Sequence, residues 1–346
     1  MATYVLIDAL NLFHRAKWSA RGDINLRTGM CLHVVFSSIR KAHRDLGADH
    51  VVLCLDSRSW RRDLFEPYKR NRAVERAKLT AREQEDESIL METFDSLCEF
   101  VRTKTNATVL HCEGAEADDL IATWIDLHPD DQHVIVSSDG DFVQLVSPQV
   151  SIYNGVTETL LTHQAAFDER GRRRAFEMQT SGKVKIGEPD EQFEAEPGWQ
   201  DLALFVKCVR GDRGDNVFPA YPGARFRGTR NRVGIVEAYE DRSRGGYNWN
   251  NFMLQTWQDD QGQTRTVKDQ YELNRQLVDL QAQPEQLRQQ FQQCVAQCAA
   301  RDPVSNVGIH LLKFCAEWEL NNIGRYPDDY AAVLNARYTG PLQETQ

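Results

Sequence analysis

The chain has 346 residues, of which 41% are hydrophobic and 27% are charged, and its formal net charge at pH 7 is -10. This length allows one large domain or two unequal domains with a substantial core. Because the protein is acidic overall, its net charge cannot attract nucleic acid. Any nucleic-acid binding therefore requires a local basic surface.

Predicted strands and helices alternate in the first half of the chain. The predicted strands are residues 4–7, 51–55, 108–110, 134–136 and 150–153, which are short aliphatic or β-branched runs. The predicted helices between them are residues 32–46, 87–103 and 117–127. This alternation predicts an α/β fold with a mostly parallel central sheet flanked by helices.

The second half of the chain has a different composition. Residues 182–198 are rich in Gly, Pro and acidic residues, which is typical of a loop or junction. Helical periodicity then returns at residues 199–209, 269–299 and 306–320. We therefore predict an α/β core over residues 1–180, a smaller helical C-terminal region over residues 199–336 and a tail at residues 337–346.

The cysteines and the N-terminus bear on the cellular compartment. The eight cysteines include no CxxC pair and no zinc spacing, so we interpret them as reduced packing residues. Cys294 and Cys298 could share a helix face, which is more often structural than redox-active. Because the sequence shows neither a signal peptide nor a long apolar segment, we expect a soluble cytoplasmic protein.

Acidic residues gather where predicted strands end. Asp8, Asp56 and Asp139 each follow a predicted strand, and ligands of an open parallel sheet bind beyond the carboxyl ends of its strands. The further candidates are Glu116, Asp118, Asp119, Asp141, Asp212 and Asp215. Any one of them alone is more often a helix cap or a surface acid.

Nine carboxylates in one cleft would repel one another unless cations neutralised them. All-oxygen ligands select hard ions, which favours magnesium or manganese over zinc. Two such ions can activate water and stabilise both oxygens of a phosphodiester displacement. The sequence therefore predicts a site for two metal ions.

A basic segment, residues 58–85, follows Asp56 directly. Between residues 58 and 82, nine basic residues stand against three acidic ones, with Trp60, Phe65 and Tyr68 among them. A solvated amphipathic helix would explain this composition elsewhere in a chain. Beside the acidic cluster it favours phosphate binding and base stacking.

The motifs resemble those of the 5′-nuclease (flap endonuclease) superfamily. They are VLIDALN, VLCLDS, SWRRDLFEPYKRNR, EADDLIA, SSDGDF and GDRGDN. Within the superfamily the resemblance is closest to the ribonuclease H proteins of T-even-type bacteriophages. It implies a PIN-like core with a helical bridge or arch, and a metal-dependent 5′ to 3′ exonuclease and flap endonuclease. Such an enzyme acts on RNA/DNA hybrids and DNA duplexes with 5′ ends or flaps and removes RNA primers during replication, here in the cytoplasm of a bacterial host.

The resemblance also implies roles for individual residues. One Mg²⁺, replaceable by Mn²⁺, would be held by Asp56, Glu116, Asp118, Asp139 and Asp141. A second would be held by Asp119, Asp212 and Asp215, with Asp8 between the two ions. Lys69 and Arg62 would be catalytic and contact the scissile phosphate. The basic segment and the arginine-rich loop after GDRGDN, rather than the shared motifs, supply the predicted nucleic-acid-binding residues Arg58, Arg61, Arg70, Arg72, Arg76, Arg225, Arg227, Arg230 and Arg232.

Three alternatives remain open at this point. A PIN-type ribonuclease shares clustered acids on a sheet, and a non-catalytic nucleic-acid-binding module would share the basic segment. The loop arginines at residues 225–232 could equally belong to an ordinary surface loop. Relatives act with a single-strand-binding protein and a sliding clamp, but residues 337–346 show no clear clamp-binding motif.

Overall fold

The computed structural model describes residues 1–19, 22–259 and 262–340, so the last six residues of the predicted tail lie outside the described residues. The strands are β1 (Thr3–Asp8), β2 (His50–Cys54), β3 (Thr108–Leu110), β4 (Gln132–Val136), β5 (Val150–Asn154), β6 (Thr159–Leu161), β7 (Ala166–Phe167), β8 (Arg173–Met178), β9 (Val184–Pro189), β10 (Thr256–Gln258) and β11 (Thr264–Thr266). The helices are α1 (Ala9–Ser19), α2 (Ile24–Leu46), α3 (Arg61–Leu64), α4 (Arg70–Arg76), α5 (Ala81–Lys104), α6 (Ala117–Leu127), α7 (Trp199–Arg210), α8 (Ile235–Asp241), α9 (Tyr247–Met253), α10 (Val267–Val278), α11 (Glu285–Ala299), α12 (Val307–Glu317), α13 (Asn321–Gly324) and α14 (Pro327–Asn335).

A nine-stranded sheet in the order β3-β2-β1-β4-β5-β6-β7-β8-β9 forms the centre of the protein. Strands β1 to β5 are parallel, and β6 to β9 extend the sheet in antiparallel fashion. Every residue of β2 is buried, because helices cover both faces of the parallel part. The predicted α/β fold with a mostly parallel sheet is confirmed.

The antiparallel extension corrects one prediction. Residues 182–198 were predicted to be a loop, but Val184–Pro189 forms strand β9 and pairs with β8. Val184 and Ile186 are half-buried while Lys185 is exposed, which is the alternation of a strand with one solvated face. The Gly and Pro residues nearby concealed this short alternation.

Local capping explains why two helices begin earlier than predicted. The side chain of Asp23 accepts a hydrogen bond from the Leu26 N–H at 3.0 Å and caps α2. Thr80 and Glu83 form a capping box at the start of α5. The predicted helix over residues 269–299 is two helices, because Pro284 stands at the start of α11 and cannot continue a helix from α10.

The C-terminal helices do not pack as one unit. Val307 and Phe314 of α12 lie in the same hydrophobic core as Val5 of β1. By contrast, helices α7 to α10 share a separate core around Phe205 and Phe252. Helix α11 packs in a third cluster, with Leu6 of β1, so the predicted helical region, residues 199–336, is divided among several cores.

A disulfide joins Cys112, which follows β3, to Cys294 of α11, across 182 residues of sequence. The prediction that all eight cysteines are reduced is therefore wrong for this pair, while the other six are free. The pairing arises because α11 packs on β3 and α6, a tertiary contact that the spacing of cysteines does not reveal. Among the described residues, no helix is both long enough and apolar enough to cross a membrane.

Candidate active site

Three aspartates stand at the carboxyl ends of adjacent parallel strands. Asp8 is the last residue of β1, Asp56 lies two residues beyond β2, and Asp139 lies three residues beyond β4. Asp8 accepts a hydrogen bond from the Ser137 hydroxyl, which also follows β4, at 3.3 Å. The three strand ends predicted from the sequence thus lie at one edge of the sheet.

The start of α6 supplies two further acids to this edge. Glu116 caps the helix, and Asp118 follows it in the first turn. Asp56 accepts a hydrogen bond from the Ala117 N–H at 2.9 Å, which ties the end of β2 to the start of α6. These contacts bring the acids of three separate motifs together.

The pKa values show how closely these acids are crowded. Burial, with the charges of Asp56 and Asp139, raises the pKa of Asp8 to about 7. Burial likewise raises the pKa of Asp141 to about 6 and, together with Asp8, places that of Asp118 well above its ordinary value. Such a group of like charges favours a bound cation.

The donor set fits hard divalent ions. Every one of these side chains offers carboxylate oxygens, which are the ligands that Mg²⁺ and Mn²⁺ prefer. Within the ranges that the structure describes, no three His, Cys, Asp or Glu side chains close around one point as a finished ligand set. Two lysines, described next, engage several of the carboxylates instead.

Lys69 and Lys207 each bridge acids from distant motifs. The Lys69 ammonium pairs with Glu116 and lies 3.6 Å from Asp215 Oδ2. The Lys207 ammonium pairs with Asp141 and lies 3.0 Å from Asp212 Oδ2. Sequence reasoning missed Lys207, although its position in the last turn of α7, just before the GDRGDN turn, was a usable signal.

Arg61 and Asp119 form a buried ion pair, which corrects two predictions. Their side chains are 1% and 0% exposed, and two hydrogen bonds of 2.9 Å join the guanidinium to both carboxylate oxygens. Gln283 also donates to Asp119 at 3.0 Å, and Arg61 reaches Glu116 at 3.2 Å. Contrary to the two predictions, neither Arg61 nor Asp119 offers a free, accessible atom to nucleic acid or to a metal ion in this structure.

The opposing charges act differently on Glu116. Burial raises the pKa of this carboxyl, but the neighbouring Lys69 and Arg61 outweigh burial and hold the pKa below its ordinary value. Tyr68 adds a hydrogen bond to Glu116 at 2.9 Å. Glu116 is therefore ionised and fixed in position at the start of α6.

The basic segment folds into α3, α4 and the start of α5 and docks on the GDRGDN turn. Lys69 adopts a left-handed conformation with φ 55°, and its main-chain N–H donates to the Asp215 carbonyl at 2.8 Å. Asn71 donates to the Gly214 carbonyl at 3.0 Å, and Arg72 pairs with the Asp215 carboxylate at 2.7 Å. One end of the segment is thus fastened beside the acids.

The other predicted cations of the basic segment are exposed. Arg62 lies on α3 and Arg76 on α4. Arg58 pairs with Asp63 at the surface, and Arg70 lies 3.2 Å from Glu66 across one turn of helix. Such surface pairs are weak, so these arginines remain accessible to phosphate.

The loop before α8 carries the second predicted basic set. Glu237 accepts hydrogen bonds from the N–H groups of Gly228 and Gly234 at 2.8 and 3.0 Å, which closes the loop onto the start of α8. The exposed arginines of this loop are Arg225, Arg227, Arg230 and Arg232. They adjoin the core formed by α7 to α10, apart from the sheet's own core.

Comparison with known proteins relates this arrangement to characterised relatives. The chain is 28% identical over 195 residues to the 5′-3′ exonuclease of Bacillus subtilis, covering 55% of this chain and 53% of that protein. It is 33% identical over 130 residues to the ribonuclease H of Enterobacteria phage T4, covering 35% and 41%. The chain thus spans about half the length of these curated relatives.

Solved structures show the same fold. The flap endonuclease of bacteriophage T5, in a pseudo-enzyme–product complex with DNA and metal ions, superposes with a TM-score of 0.56 at 16% identity, over 86% of this chain and 100% of that one. Residues 3–171 match the family described as the 5′-3′ exonuclease, N-terminal resolvase-like domain. Over these residues, just under half of its length, the chain is therefore similar to the N-terminal domain of the 5′-3′ exonuclease family.

Proposed function

We propose that the protein is a metal-dependent 5′ to 3′ exonuclease and flap endonuclease that hydrolyses phosphodiesters at the 5′ ends of RNA/DNA and DNA duplexes. The observation that supports this most strongly is that the basic segment packs beside the acids at the carboxyl ends of the parallel strands. Lys69 belongs to both, because it pairs with Glu116 at the start of α6 and its N–H holds the Asp215 carbonyl.

Two Mg²⁺ ions, or Mn²⁺ in their place, would activate water and stabilise the oxygens of the displaced phosphodiester. The residues that would hold the first ion are Asp56, Glu116, Asp118, Asp139 and Asp141. Asp212 and Asp215 would hold the second, with Asp8 between the two. The raised pKa of Asp8 supports this assignment, because a buried acid among like charges gains from a nearby cation.

Lys69 and Arg62 would act on the scissile phosphate. The Lys69 ammonium is held beside the acids by its left-handed backbone and by the fixed Asp215 carbonyl. A cation placed in advance stabilises negative charge that develops on phosphate oxygens and needs little reorganisation to do so. Arg62 is exposed on α3, from which it would reach the same phosphate.

The exposed arginines would bind the rest of the substrate. Those on α3 and α4 would meet the 5′ strand, and those of the loop before α8 would hold duplex phosphates. We further propose that the protein removes RNA primers during replication and acts beside a single-strand-binding protein and a sliding clamp. It would work in the cytoplasm of a phage-infected bacterium. Similarity to the phage T4 ribonuclease H supports this extension.

The test is cleavage of 5′-labelled substrates over a magnesium titration. The substrates are a 5′-flap duplex, RNA-primed DNA and plain single-stranded RNA, and binding is measured separately in calcium. Asp139→Asn and Asp118→Asn should abolish cleavage and retain binding, whereas Asp130→Asn, at an exposed position after α6, should cleave normally.

Each contrary result points to a named alternative. Full activity of Asp139→Asn would refute the metal assignment. Preference for plain single-stranded RNA would favour a PIN-type ribonuclease, which the match of residues 3–171 to the exonuclease family disfavours. Binding by the wild-type protein without cleavage at any magnesium concentration would indicate a non-catalytic module.

A further inference from the structure

Lys207 lies between two acids that come from distant parts of the chain. Asp141 belongs to the short 3-10 turn after β4, and Asp212 follows α7. The Lys207 ammonium pairs with both, and its side chain is only 17% exposed. Because water screens a half-buried pair less than a fully exposed one, this lysine is a counter-ion of the two acids rather than a free surface cation.

The main chain around Lys207 fixes both partners. Helix α7 is held by Val206 and Val209, which are fully buried in its own core. After the helix, the Asp212 N–H donates to the Val217 carbonyl at 2.9 Å and the Val217 N–H donates back at 2.7 Å. Gly211 precedes this bridge with φ 70°, and a Cβ there would lie 2.4 Å from the Val217 carbonyl oxygen. The backbone therefore holds the Asp212 carboxylate in place, and Lys207 can leave it only by movement of its own side chain.

In this structure the two carboxylates share one cation, the Lys207 ammonium. Both the Asp141 and the Asp212 carboxylates lie against this ammonium, which neutralises part of their negative charge. If the ammonium and a divalent ion both approached the same two carboxylates, they would repel each other. The two cations therefore exclude one another at Asp141 and Asp212.

We propose that Lys207 is a displaceable counter-ion that competes with the divalent cations for Asp141, which is assigned to the first ion, and for Asp212, which is assigned to the second. The ammonium holds the two carboxylates together before the ion binds, and the ion must push it aside. Lys207 thereby sets the metal concentration at which the second ion enters. This inference rests on the proposed function, because it requires a metal centre at these acids.

Lys69 does not have the same role as Lys207. It bridges Glu116 and Asp215 in a similar way, but it belongs to the docked basic segment and is assigned to the substrate phosphate. Lys207 lies on α7 and not on that segment, and it is a positioning residue that acts through the carboxylates. Its removal should therefore change metal binding in the absence of any nucleic acid.

The experiment is calorimetric titration of the full chain with Mn²⁺ alone. Lys207→Met should tighten the weaker of the two binding constants by roughly tenfold or more, the scale of coupling between neighbouring binding sites. Lys207→Arg keeps the charge and should remain within about threefold of wild type, since the coupling is then retained. Lys185→Met, which removes an exposed lysine from β9, controls for the change in net charge and should have little effect because solvent screens it.

Thermal unfolding provides a readout that does not depend on calorimetry. In EDTA, Lys207→Met should unfold at a lower temperature than wild type, because Asp141 and Asp212 then repel without a counter-ion. Adding Mn²⁺ should raise its unfolding temperature by more than that of wild type. If Lys207→Met does not fold, Lys207→Gln replaces it in both measurements.

The outcomes separate this inference from the proposed function. If wild type binds two Mn²⁺ ions and Lys207→Met binds them equally or more weakly, the counter-ion role is refuted and the metal centre stands. If Lys207→Met weakens DNA binding but leaves Mn²⁺ affinity unchanged, Lys207 is a phosphate contact and the inference is again refuted. If wild type binds no Mn²⁺ at millimolar concentration, the proposed function itself fails.

Discussion

Replacing Arg61 by methionine should destabilise the fold and leave nucleic-acid contacts intact. The substitution removes the guanidinium that satisfies both oxygens of Asp119 and reaches Glu116. Both carboxylates are buried; Asp119 would lose its counter-charge, whereas Glu116 would keep Lys69. Removing one partner of a buried pair typically costs about 3–5 kcal/mol, because the other charge is left uncompensated.

The size of this effect can be measured by unfolding in urea or by heat. For a chain of 346 residues, a loss of that size lowers the unfolding midpoint by about 4–7 °C if unfolding is two-state. Arg62→Met is the matched control, because Arg62 is the next residue, is exposed, and should change stability by about 0.5 kcal/mol or less. The double variant Arg61→Met, Asp119→Leu should lose less than Arg61→Met alone, since fewer unpaired charges remain.

Two results would refute this reasoning. Equal stability of Arg61→Met and Arg62→Met would show that the buried pair contributes nothing. A stable Arg61→Met protein whose DNA affinity depends less steeply on salt than that of wild type would show that Arg61 binds phosphate, as the sequence first indicated. Binding is compared at a temperature at which both variants are folded.

Three further predictions concern catalysis, metal use and pH. Lys69→Ala should slow single-turnover cleavage of a flap substrate by roughly 100-fold or more, the scale of losing a transition-state donor, whereas Arg76→Ala should mainly weaken binding and reduce the slope of log K against log salt by about one. An unchanged saturated rate for Lys69→Ala would make the basic segment an electrostatic funnel. Replacing Asp212 and Asp215 together by Asn should raise the magnesium requirement for cleavage, and no effect at any magnesium concentration would make the turn purely structural. Burial lowers the pKa of His133 to about 4, so only the unfolded chain takes up this proton between pH 6.5 and 4. Stability should therefore fall by about 3 kcal/mol from this residue as the pH drops through that window, and His133→Leu should remove that part of the fall in urea titrations.

The parallel part of the sheet was predictable because its signals are local. Each of its strands is a short aliphatic run, and the rule that ligands bind at the carboxyl ends of parallel strands placed Asp8, Asp56 and Asp139 together. The antiparallel extension was not found, because β8 and β9 are half-exposed and contain charged residues, Gly and Pro. Their pairing stabilises them more than their own composition does.

The roles of neighbouring residues were harder to separate. Asp118 and Asp119 are adjacent at the start of α6, yet Asp118 faces the other acids while Asp119 is bound to Arg61. Arg61 and Arg62 are adjacent in the same way. Which member of each pair is buried depends on the contact between Arg61 and Asp119, which are 58 positions apart. The composition of the sequence does not reveal that contact.

The attachment of α4 at one end makes this helix a natural place for a spectroscopic probe. Its start is held by the Lys69 main chain and by Asn71, while none of the residues of α4 itself is buried. A segment without buried contacts opens locally at little free-energy cost. A fluorophore on a cysteine introduced at Ala77, an exposed position just beyond the helix, would report the arrival of a 5′ end without touching the core. Stopped-flow records from such a probe would time substrate entry separately from bond cleavage.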